Sequence, residues 1–354
     1  VLKEKFGLNE EAIPMDLADI DFEVAPAIQK AVMKRASIGD YSYTYIPNEF
    51  YEAVINWNKR RYNTHIEKEW IKLTFGTVST LHYIVQAYTK IGEGVLINTP
   101  AYDPFAEAIE YNERKLFCSS LINRENRYYL DFDDIEKQMK ENNIKLYIFC
   151  SPQNPSGRIW TKEELFQLAE LCIRHEVLLV CDEIHRDIIY KNQTFTSIWN
   201  AHPKISQHSV LCLSPNKGFN LGGLKTSYVV VPNPDIRETL LLQLQKNSIT
   251  SPHVFAVPAI VAAYNESEDW LDEMIDYVEE NMEIIYDFFA DIPEAKVMPA
   301  ESSFLAWIDV RNWFKDESEM QGFFQRAKLT MVVGSYFVQD GEGFVRLSIG
   351  MPRN

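Results

Sequence analysis

The chain has 354 residues, 46% of them hydrophobic and 13% aromatic. This length is too great for one small core and predicts two domains, and the apolar content excludes a wholly disordered protein. Its 35 Lys and Arg residues are outnumbered by 51 Asp and Glu residues, which gives a formal net charge of −16. Because a nucleic-acid or anionic membrane surface requires a basic footprint, this balance argues against both kinds of partner.

The cysteines indicate a reducing compartment. There are five, an odd number, and they lack the spacing of metal ligands. Cys150, Cys181 and Cys212 lie at or next to the ends of apolar runs, as small buried hydrophobic residues do. No apolar run approaches the roughly 20 residues of a membrane span, and the first residues show no signal-peptide pattern. We therefore expect a cytoplasmic protein with no metal site.

From about residue 71 the chain alternates short apolar runs with helix-like segments. The runs are four to six residues long and rich in Val, Ile, Leu, Cys and aromatic residues: 95–98, 115–119, 145–150, 177–181, 210–213 and 228–231. The segment 162–175 is the clearest helix, with Thr161 as N-cap and Glu164 three residues later. Short apolar strands separated by helices predict an α/β fold, in which helices cover both faces of a mostly parallel central sheet.

The C-terminal part of the chain has a different pattern. Residues 263–290 predict one long acidic helix that bridges to a second domain. Strand-like segments at 303–309 and 343–349 then enclose a helix near 317–327. This mixed order predicts a small α+β domain.

We expect the N-terminal segment to join that small domain. The large domain would then comprise residues 41–265, and the small domain residues 1–40 together with 266–354. The aromatic stretch from Tyr41 to Tyr45 follows this boundary and predicts an edge strand or a loop packed on a neighbour.

Ligands of a parallel α/β sheet bind beyond the carboxyl ends of its strands. That rule selects four segments: 76–79, 151–157, 182–185 and 214–217. In the first, Gly76-Thr77-Val78-Ser79 precedes an apolar helical stretch, so its backbone N–H groups could hold an anion. The second contains Asn154-Pro155-Ser156-Gly157, which by itself is an ordinary turn signal.

The other two segments place charged side chains at strand ends. Asp182 follows the apolar run 177–181, and a carboxylate there needs a cationic or hydrogen-bonding partner, for which a structural ion pair is one explanation. Lys217 follows the run 210–213 and precedes a Gly-rich turn. Burial there would lower the pKa of its amine and make it a usable nucleophile or base, although most lysines are simply solvated.

An anion-binding turn, an Asn-Pro turn, a strand-end Asp and a strand-end Lys, in this order, resemble the fold-type I pyridoxal-phosphate (PLP) enzymes of the class I/II aminotransferase family. Within that family the chain is most similar to the cystathionine β-lyase-like C–S lyases. The resemblance runs nearly from end to end, on these motifs: Pro14-Met15, Ala18-Asp19-Ile20-Asp21-Phe22, Tyr43-Thr44, Trp57, Arg61, Pro100-Ala101-Tyr102, Asp182-Glu183-Ile184-His185, Asn220-Leu221 and Arg346-Leu347-Ser348.

The resemblance implies the PLP-dependent transferase fold of type I, with a large domain built on a mostly parallel sheet and a small α+β domain. The family usually continues beyond an Arg-Leu-Ser segment with a further helix. We therefore expect that this chain lacks some residues of the family at both ends.

The resemblance also implies roles for five residues around the cofactor ring. Lys217 would be linked to PLP and later move the Cα proton of the substrate. Asp182 would keep the pyridine nitrogen protonated, so that the ring accepts electrons. Asn154 would hydrogen-bond O3′ of the ring, with His185 nearby. Tyr102 would stack on the ring face and take part in catalysis.

Further residues would bind the phosphate group. The resemblance assigns this role to the amides of Thr77 and Val78 and to Ser214. Tyr43 would reach the phosphate from the neighbouring subunit, which implies a homodimer with shared active sites. Lys225 stands where many aminotransferases have a phosphate-binding Arg and the lyases usually have a neutral residue, so it could add charge to the phosphate.

Arg346 would hold the α-carboxylate of an amino-acid substrate bidentately, a task that suits its planar fork, and Ala18 would also bind substrate. Besides Lys225, three positions depart from the family pattern. Asn216 stands where a second phosphate-binding Ser is usual, Gly218 replaces a common Thr, and Asp16 occupies a place that is often Trp in the lyases. These departures leave the phosphate contacts and the lyase branch open, but not the cofactor.

The resemblance predicts β-elimination from an S-substituted cysteine such as cystathionine, giving a thiol, pyruvate and ammonia. Transamination of amino acids by the same cofactor is the alternative. A third hypothesis is a regulatory protein that keeps the fold but acts by binding a partner, and the intact set of Lys217, Asp182 and Arg346 argues against it. A nicotinamide-binding enzyme is disfavoured, because no Gly-x-Gly-x-x-Gly follows an early strand.

Overall fold

The computed structural model describes residues 12–353 of the chain. The strands are β1 (Ile13–Pro14), β2 (Ile71–Phe75), β3 (Gly94–Thr99), β4 (Lys115–Ser120), β5 (Ile122–Arg124), β6 (Arg127–Tyr129), β7 (Ile144–Cys150), β8 (Leu178–Asp182), β9 (Ser209–Leu213), β10 (Thr226–Val230), β11 (Lys296–Val297), β12 (Leu305–Asp309), β13 (Leu329–Thr330), β14 (Val332–Val333) and β15 (Phe344–Ser348). The helices are α1 (Pro26–Ser37), α2 (Asn48–Tyr62), α3 (Thr77–Tyr88), α4 (Pro104–Glu110), α5 (Phe132–Glu141), α6 (Lys162–Arg174), α7 (Ile198–Ala201), α8 (Pro234–Lys246), α9 (Ala256–Glu266), α10 (Glu268–Ala290) and α11 (Glu317–Arg326).

Seven strands form the large sheet, in the order β2-β10-β9-β8-β7-β3-β4. The strands from β9 to β4 run parallel to one another, and β10 runs antiparallel to both of its neighbours. The six apolar runs found in the sequence all coincide with strands of this sheet, and β2 is a seventh strand that the sequence analysis did not identify. The predicted mostly parallel sheet is therefore confirmed.

Apolar side chains cover both faces of this sheet. Along β3, Val95 and Ile97 belong to one buried cluster together with residues of α3 and α8, whereas Leu96 belongs to the other cluster. Successive side chains of a strand point to opposite faces, so a strand buried on both faces is apolar at every position. This is why the predicted strands are continuous apolar runs.

Helix α6 begins where the sequence predicts. The Thr161 hydroxyl accepts a hydrogen bond from the Glu164 N–H at 3.2 Å, and the Glu164 carboxylate accepts one from the Thr161 N–H at 2.7 Å. This reciprocal pair is a capping box, which satisfies two backbone donors that the first turn of a helix leaves free.

A second, antiparallel sheet has the strand order β11-β12-β15-β14. The N-terminal strand β1 lies beside this C-terminal part of the chain, because Ile13 pairs in parallel with Leu329 of β13. Helix α1 instead packs against α9. The domain boundaries at 40/41 and 265/266 remain predictions.

The prediction of a single helix over 263–290 is wrong, because the chain forms two helices there, α9 and α10, which are separated at Ser267. The Ser267 hydroxyl donates a hydrogen bond to the Ala262 carbonyl at 2.9 Å, a local side-chain contact of the kind that ends helices. Nor is α10 a solvated bridge, because Leu271, Val278 and Met282 are completely buried in the main core.

Residues 41–47 form a loop, one of the two structures expected for the aromatic stretch. None of the helices in the described part of the chain is long and apolar enough to cross a membrane. Between residues 12 and 353, no group of three or more His, Cys, Asp or Glu side chains is arranged to hold a metal ion.

Candidate active site

A cavity of about 430 Å³ lies at the carboxyl edge of the large sheet. The residues that line it include most of those predicted from the sequence: Ala18, Thr77, Val78, Tyr102, Asn154, Asp182, His185, Lys217 and Lys225. Parallel strands end at the same edge of a sheet, which brings residues from distant parts of the chain together. Lys225 directly precedes the first residue of β10. Because β10 runs antiparallel to its neighbours, its first residue lies at the edge where the parallel strands end.

Lys217 lies in the turn after β9, and 24% of its side chain is exposed. Its Nζ donates a hydrogen bond to the Ala18 carbonyl and lies 3.8 Å from Asp19 Oδ1. Burial lowers the pKa of the amine; the Asp19 and Asp182 carboxylates oppose this change and the Arg346 charge adds to it. The net direction is downward, so the amine loses its proton more readily and is better suited to act as a nucleophile or base.

Asp182 is the last residue of β8 and is only 5% exposed. Its Oδ1 accepts a hydrogen bond from the Ile184 N–H at 3.1 Å. Burial raises the pKa of this carboxyl to about 7, although the Ile184 N–H and the Lys217 charge act in the opposite direction. A cationic group bound in the cavity would stabilise the ionised carboxylate.

Arg346 lies on β15 and contacts Asn154, a residue that lines the cavity. Its Nη1 donates to Asn154 Oδ1 at 3.3 Å, and its Nη2 donates to the Asp16 carbonyl at 2.9 Å. The buried Nε has no hydrogen-bond partner within residues 12–353. Burial lowers the pKa of the guanidinium to about 10, so it stays cationic at neutral pH and keeps a donor for an anion.

His185 and Tyr102 are neutral polar groups beside these charges. His185 is buried, with its Nδ1 3.2 Å from the Ser303 hydroxyl. Burial, followed by the charges of Lys217 and Arg346, lowers the pKa of His185 to about 3. Burial likewise raises the pKa of Tyr102, so its hydroxyl keeps its proton at neutral pH.

The start of α3 has the features of an anion site. Gly76 precedes the helix with φ of 85°, a conformation that favours glycine. The buried Thr77 hydroxyl has no hydrogen-bond partner in the described part of the chain. The stem of Lys225 runs beside this turn, since a Cβ on Gly76 would lie 3.5 Å from Lys225 Cδ. A helix N-terminus, an unpaired hydroxyl and a lysine together suit a phosphate group.

Three predicted residues are not among those that line the cavity: Arg346, Ser214 and Tyr43. The buried Ser214 hydroxyl donates to the Thr226 carbonyl and accepts from the Asn216 N–H at 3.0 Å, while Asn216 itself lines the cavity. Tyr43 is 99% exposed, in a position that its own chain does not cover. The predicted phosphate contacts of Ser214 and Tyr43 remain predictions.

The two adjacent carboxylates Asp182 and Glu183 have different surroundings in the structure. Glu183 is completely buried and forms an ion pair with Arg186 at 3.2 Å, and its other oxygen accepts from the Ser197 hydroxyl at 2.8 Å. The structural ion pair considered for this strand end is therefore formed by Glu183. Asp182 is the carboxylate that faces the cavity. Asp19 also lines the cavity, a position that the sequence did not predict, although Asp19 stands next to Ala18 in the segment 18–22.

The sequence profile of class I and II aminotransferases matches residues 3–354. The chain belongs to this family. The cystathionine β-lyase PatB of Bacillus subtilis is 35% identical over 349 residues, which are 98% of this chain and 90% of PatB. Cystalysin from Treponema denticola, solved with pyridoxal 5′-phosphate, has a TM-score of 0.95 and 31% identity, over 99% of this chain and 90% of cystalysin. A PLP-bound C–S lyase from Staphylococcus hominis has a TM-score of 0.93 and 32% identity, over 99% and 87% of the two chains.

The class I/II aminotransferase family is PLP-dependent, and the cavity fits the cofactor on its own chemistry. The unpaired Thr77 hydroxyl and the Lys225 amine suit the phosphate. The buried Asp182 suits a protonated pyridine nitrogen, and the Lys217 amine suits the aldehyde carbon. The phosphate, the ring nitrogen and the aldehyde carbon of PLP thus each have a complementary side chain in this cavity.

Proposed function

We propose that this protein catalyses PLP-dependent β-elimination of S-substituted cysteines such as cystathionine, with release of a thiol, pyruvate and ammonia. The observation that supports it most is that the Lys217 amine and the Asp182 carboxylate line one cavity, and that the Arg346 guanidinium donates a hydrogen bond to Asn154, another residue of its lining. These three groups suffice to remove a Cα proton, to hold a ring proton and to bind a carboxylate. Identity above 30% with PatB and with the Staphylococcus hominis lyase supports the reaction type.

PLP, when bound, supplies an electron-accepting ring. Arg346 binds the α-carboxylate of the substrate through its free donor, which orients Cα over the cavity. Lys217 Nζ takes the proton from Cα. Asp182 holds a proton at the pyridine nitrogen by its buried negative charge. Thr77 and Lys225 fix the phosphate and so prevent rotation of the ring.

Transamination would use the same residues, so the cavity alone does not separate the two reactions. The class I/II aminotransferase family contains enzymes named for each reaction. Because PatB and the Staphylococcus hominis enzyme are both named as lyases, we favour elimination for this chain.

Pyruvate release from cystathionine in the absence of any keto acid tests the proposal. Alanine is the matched control, since it presents the same amine and carboxylate but no leaving group on Cβ. We expect pyruvate and a free thiol in equal amounts from cystathionine, and only slow, incomplete turnover of alanine. If cystathionine gives neither thiol nor pyruvate and is consumed only when a keto acid is added as amino-group acceptor, the protein is an aminotransferase.

We further propose a homodimer in which Tyr43 reaches the phosphate site of the partner. Tyr41, Tyr43 and Tyr45 are all strongly exposed on one loop, and such aromatic surfaces commonly mark interfaces. Mixing Tyr43→Phe chains with Lys217→Ala chains would give heterodimers with one intact site. Activity above that of either parent supports shared sites, and an active monomer in light scattering would contradict them.

The cytoplasm is the compartment we propose for the protein. All five cysteines are free, and Cys172, Cys181 and Cys212 are buried thiols. Such cysteines are typical of reducing compartments. Fractionation of cells that produce the protein tests this proposal, and recovery outside the cytoplasm would contradict it.

A further inference from the structure

The carboxylate nearest to the Lys217 amine belongs to the N-terminal segment and not to the sheet. Asp19 Oδ1 lies 3.8 Å from Lys217 Nζ, and the adjacent Ala18 carbonyl accepts a hydrogen bond from the same Nζ. Asp19 and Ala18 both line the cavity. The free amine therefore has an acceptor and a counter-charge on neighbouring residues.

This N-terminal segment is held in place by the strand that carries Arg346. The Ser348 N–H donates to the Met15 carbonyl at 2.8 Å, and the Ser348 hydroxyl donates to the Asp19 carbonyl at 3.2 Å. The Asp21 N–H donates to the Gly350 carbonyl at 2.7 Å. Because its backbone is fixed on both sides, Asp19 is a pre-positioned charge rather than a side chain on a loose end.

We infer that Asp19 is a positioning residue, which together with the Ala18 carbonyl receives the Lys217 amine whenever that amine is not linked to the cofactor and partly offsets the effect of burial by favouring its protonated form. This inference rests on the proposed role of Lys217. When Nζ takes a proton from Cα, it becomes an ammonium, and Asp19 is the carboxylate that stabilises this charge at the cavity wall.

Other charges around Lys217 do not replace Asp19. Arg346 and Lys225 repel the ammonium. Asp182 attracts it, but in the proposed function that carboxylate is engaged by the pyridine nitrogen. His185 is neutral. Asp19 is left as the carboxylate available to the amine throughout turnover.

Competitive labelling of the cofactor-free protein with trace acetic anhydride tests the inference, because only neutral amines react. Lys162, an exposed lysine at the start of α6, serves as the internal standard in mass spectrometry. Below the labelling midpoint of Lys217, the Asp19→Asn variant should react about fivefold faster, the effect of two unit charges about 4 Å apart in a water-like medium. Asp21→Asn, an exposed carboxylate of the same segment, should leave the rate unchanged, and Asp19→Glu should stay near the wild type.

The rate at high pH separates an electrostatic role from a structural one. If Asp19→Asn merely opened the site, the plateau rate of the fully neutral amine would rise as well, whereas the inferred role shifts the midpoint and leaves the plateau unchanged. A wild-type profile for Asp19→Asn, a raised plateau, or an equal effect of Asp21→Asn would overturn the inference. The proposed elimination is measured separately by pyruvate release, so either result can fail without the other.

Discussion

Replacing Asp182 by asparagine should stabilise the cofactor-free protein while it abolishes most of the activity. Burial raises the pKa of this carboxyl from its ordinary 3.8 to about 7. A carboxyl with a higher pKa in the folded chain binds its proton more tightly there, so the fold loses stability as the pH rises from about 4 to about 7. At about 1.4 kcal/mol per pH unit, the buried charge costs about 4 kcal/mol above neutral pH.

Asparagine is nearly isosteric and keeps an oxygen for the Ile184 N–H, so it should remove this cost without loss of packing. For a chain of this length, about 4 kcal/mol corresponds to a rise of about 5 °C in the melting temperature, taking about 2 cal/mol/K of unfolding entropy per residue. Thermal unfolding of the cofactor-free chains, followed by circular dichroism, measures the difference. We expect it to grow between about pH 4 and about pH 7 and to stay constant at higher pH.

The neighbouring carboxylate provides the matched control. Glu183→Gln removes the charge that pairs with the buried Arg186 and should lower the melting temperature throughout this pH range, because it leaves a buried cation without its partner. With PLP present, Asp182→Asn should reduce turnover by several orders of magnitude, since its charge holds the pyridinium proton. A melting temperature equal to or below that of the wild type at pH 8 would refute the reasoning.

Three further outcomes are expected. Borohydride reduction of the yellow holoenzyme should bleach its visible band and leave the phosphopyridoxyl group on Lys217, as peptide mapping would show; a label on another lysine contradicts the assignment. Arg346→Lys should lower kcat/KM by about 100-fold, because a point charge replaces the planar fork that binds a carboxylate; an unchanged KM would exclude Arg346 from substrate binding. Thr77→Val and Lys225→Met should each weaken PLP binding by about tenfold, since each removes a contact to the phosphate, and an absorbance titration that shows wild-type affinity would place the phosphate elsewhere.

The parts of the fold that sequence predicted are those with strong local signals. The run 145–150 corresponds to β7, which is buried on both faces and apolar throughout, and Thr161 and Glu164 form the capping box of α6. Strand β2 was missed because Lys72 and Thr74 interrupt its apolar residues. It is an edge strand, where one side of the backbone is unpaired and polar residues are tolerated.

Antiparallel β10 was also beyond the reach of pattern analysis. An apolar run has the same appearance in either direction, and only the pairing of β10 with β2 and β9 shows its reversal. That reversal has a functional consequence, because it brings Lys225 to the same edge as Thr77 and Lys217. The predicted role of Lys225 thus depends on a topology that its sequence position does not reveal.

The sequence by itself determined which side chains stand at the carboxyl ends of the strands, because short apolar runs and the residues that follow them are local features. Its motifs also carried the family and hence the cofactor. Only the tertiary structure decided how these groups meet: that Arg346 bonds to Asn154 and keeps Nε free, that Glu183 is paired with Arg186 while Asp182 faces the cavity, and that Asp19 lies beside the Lys217 amine. The physical reason is that distances between charges, and the burial that sets their pKa values, depend on residues far apart in the chain, which no local pattern brings together.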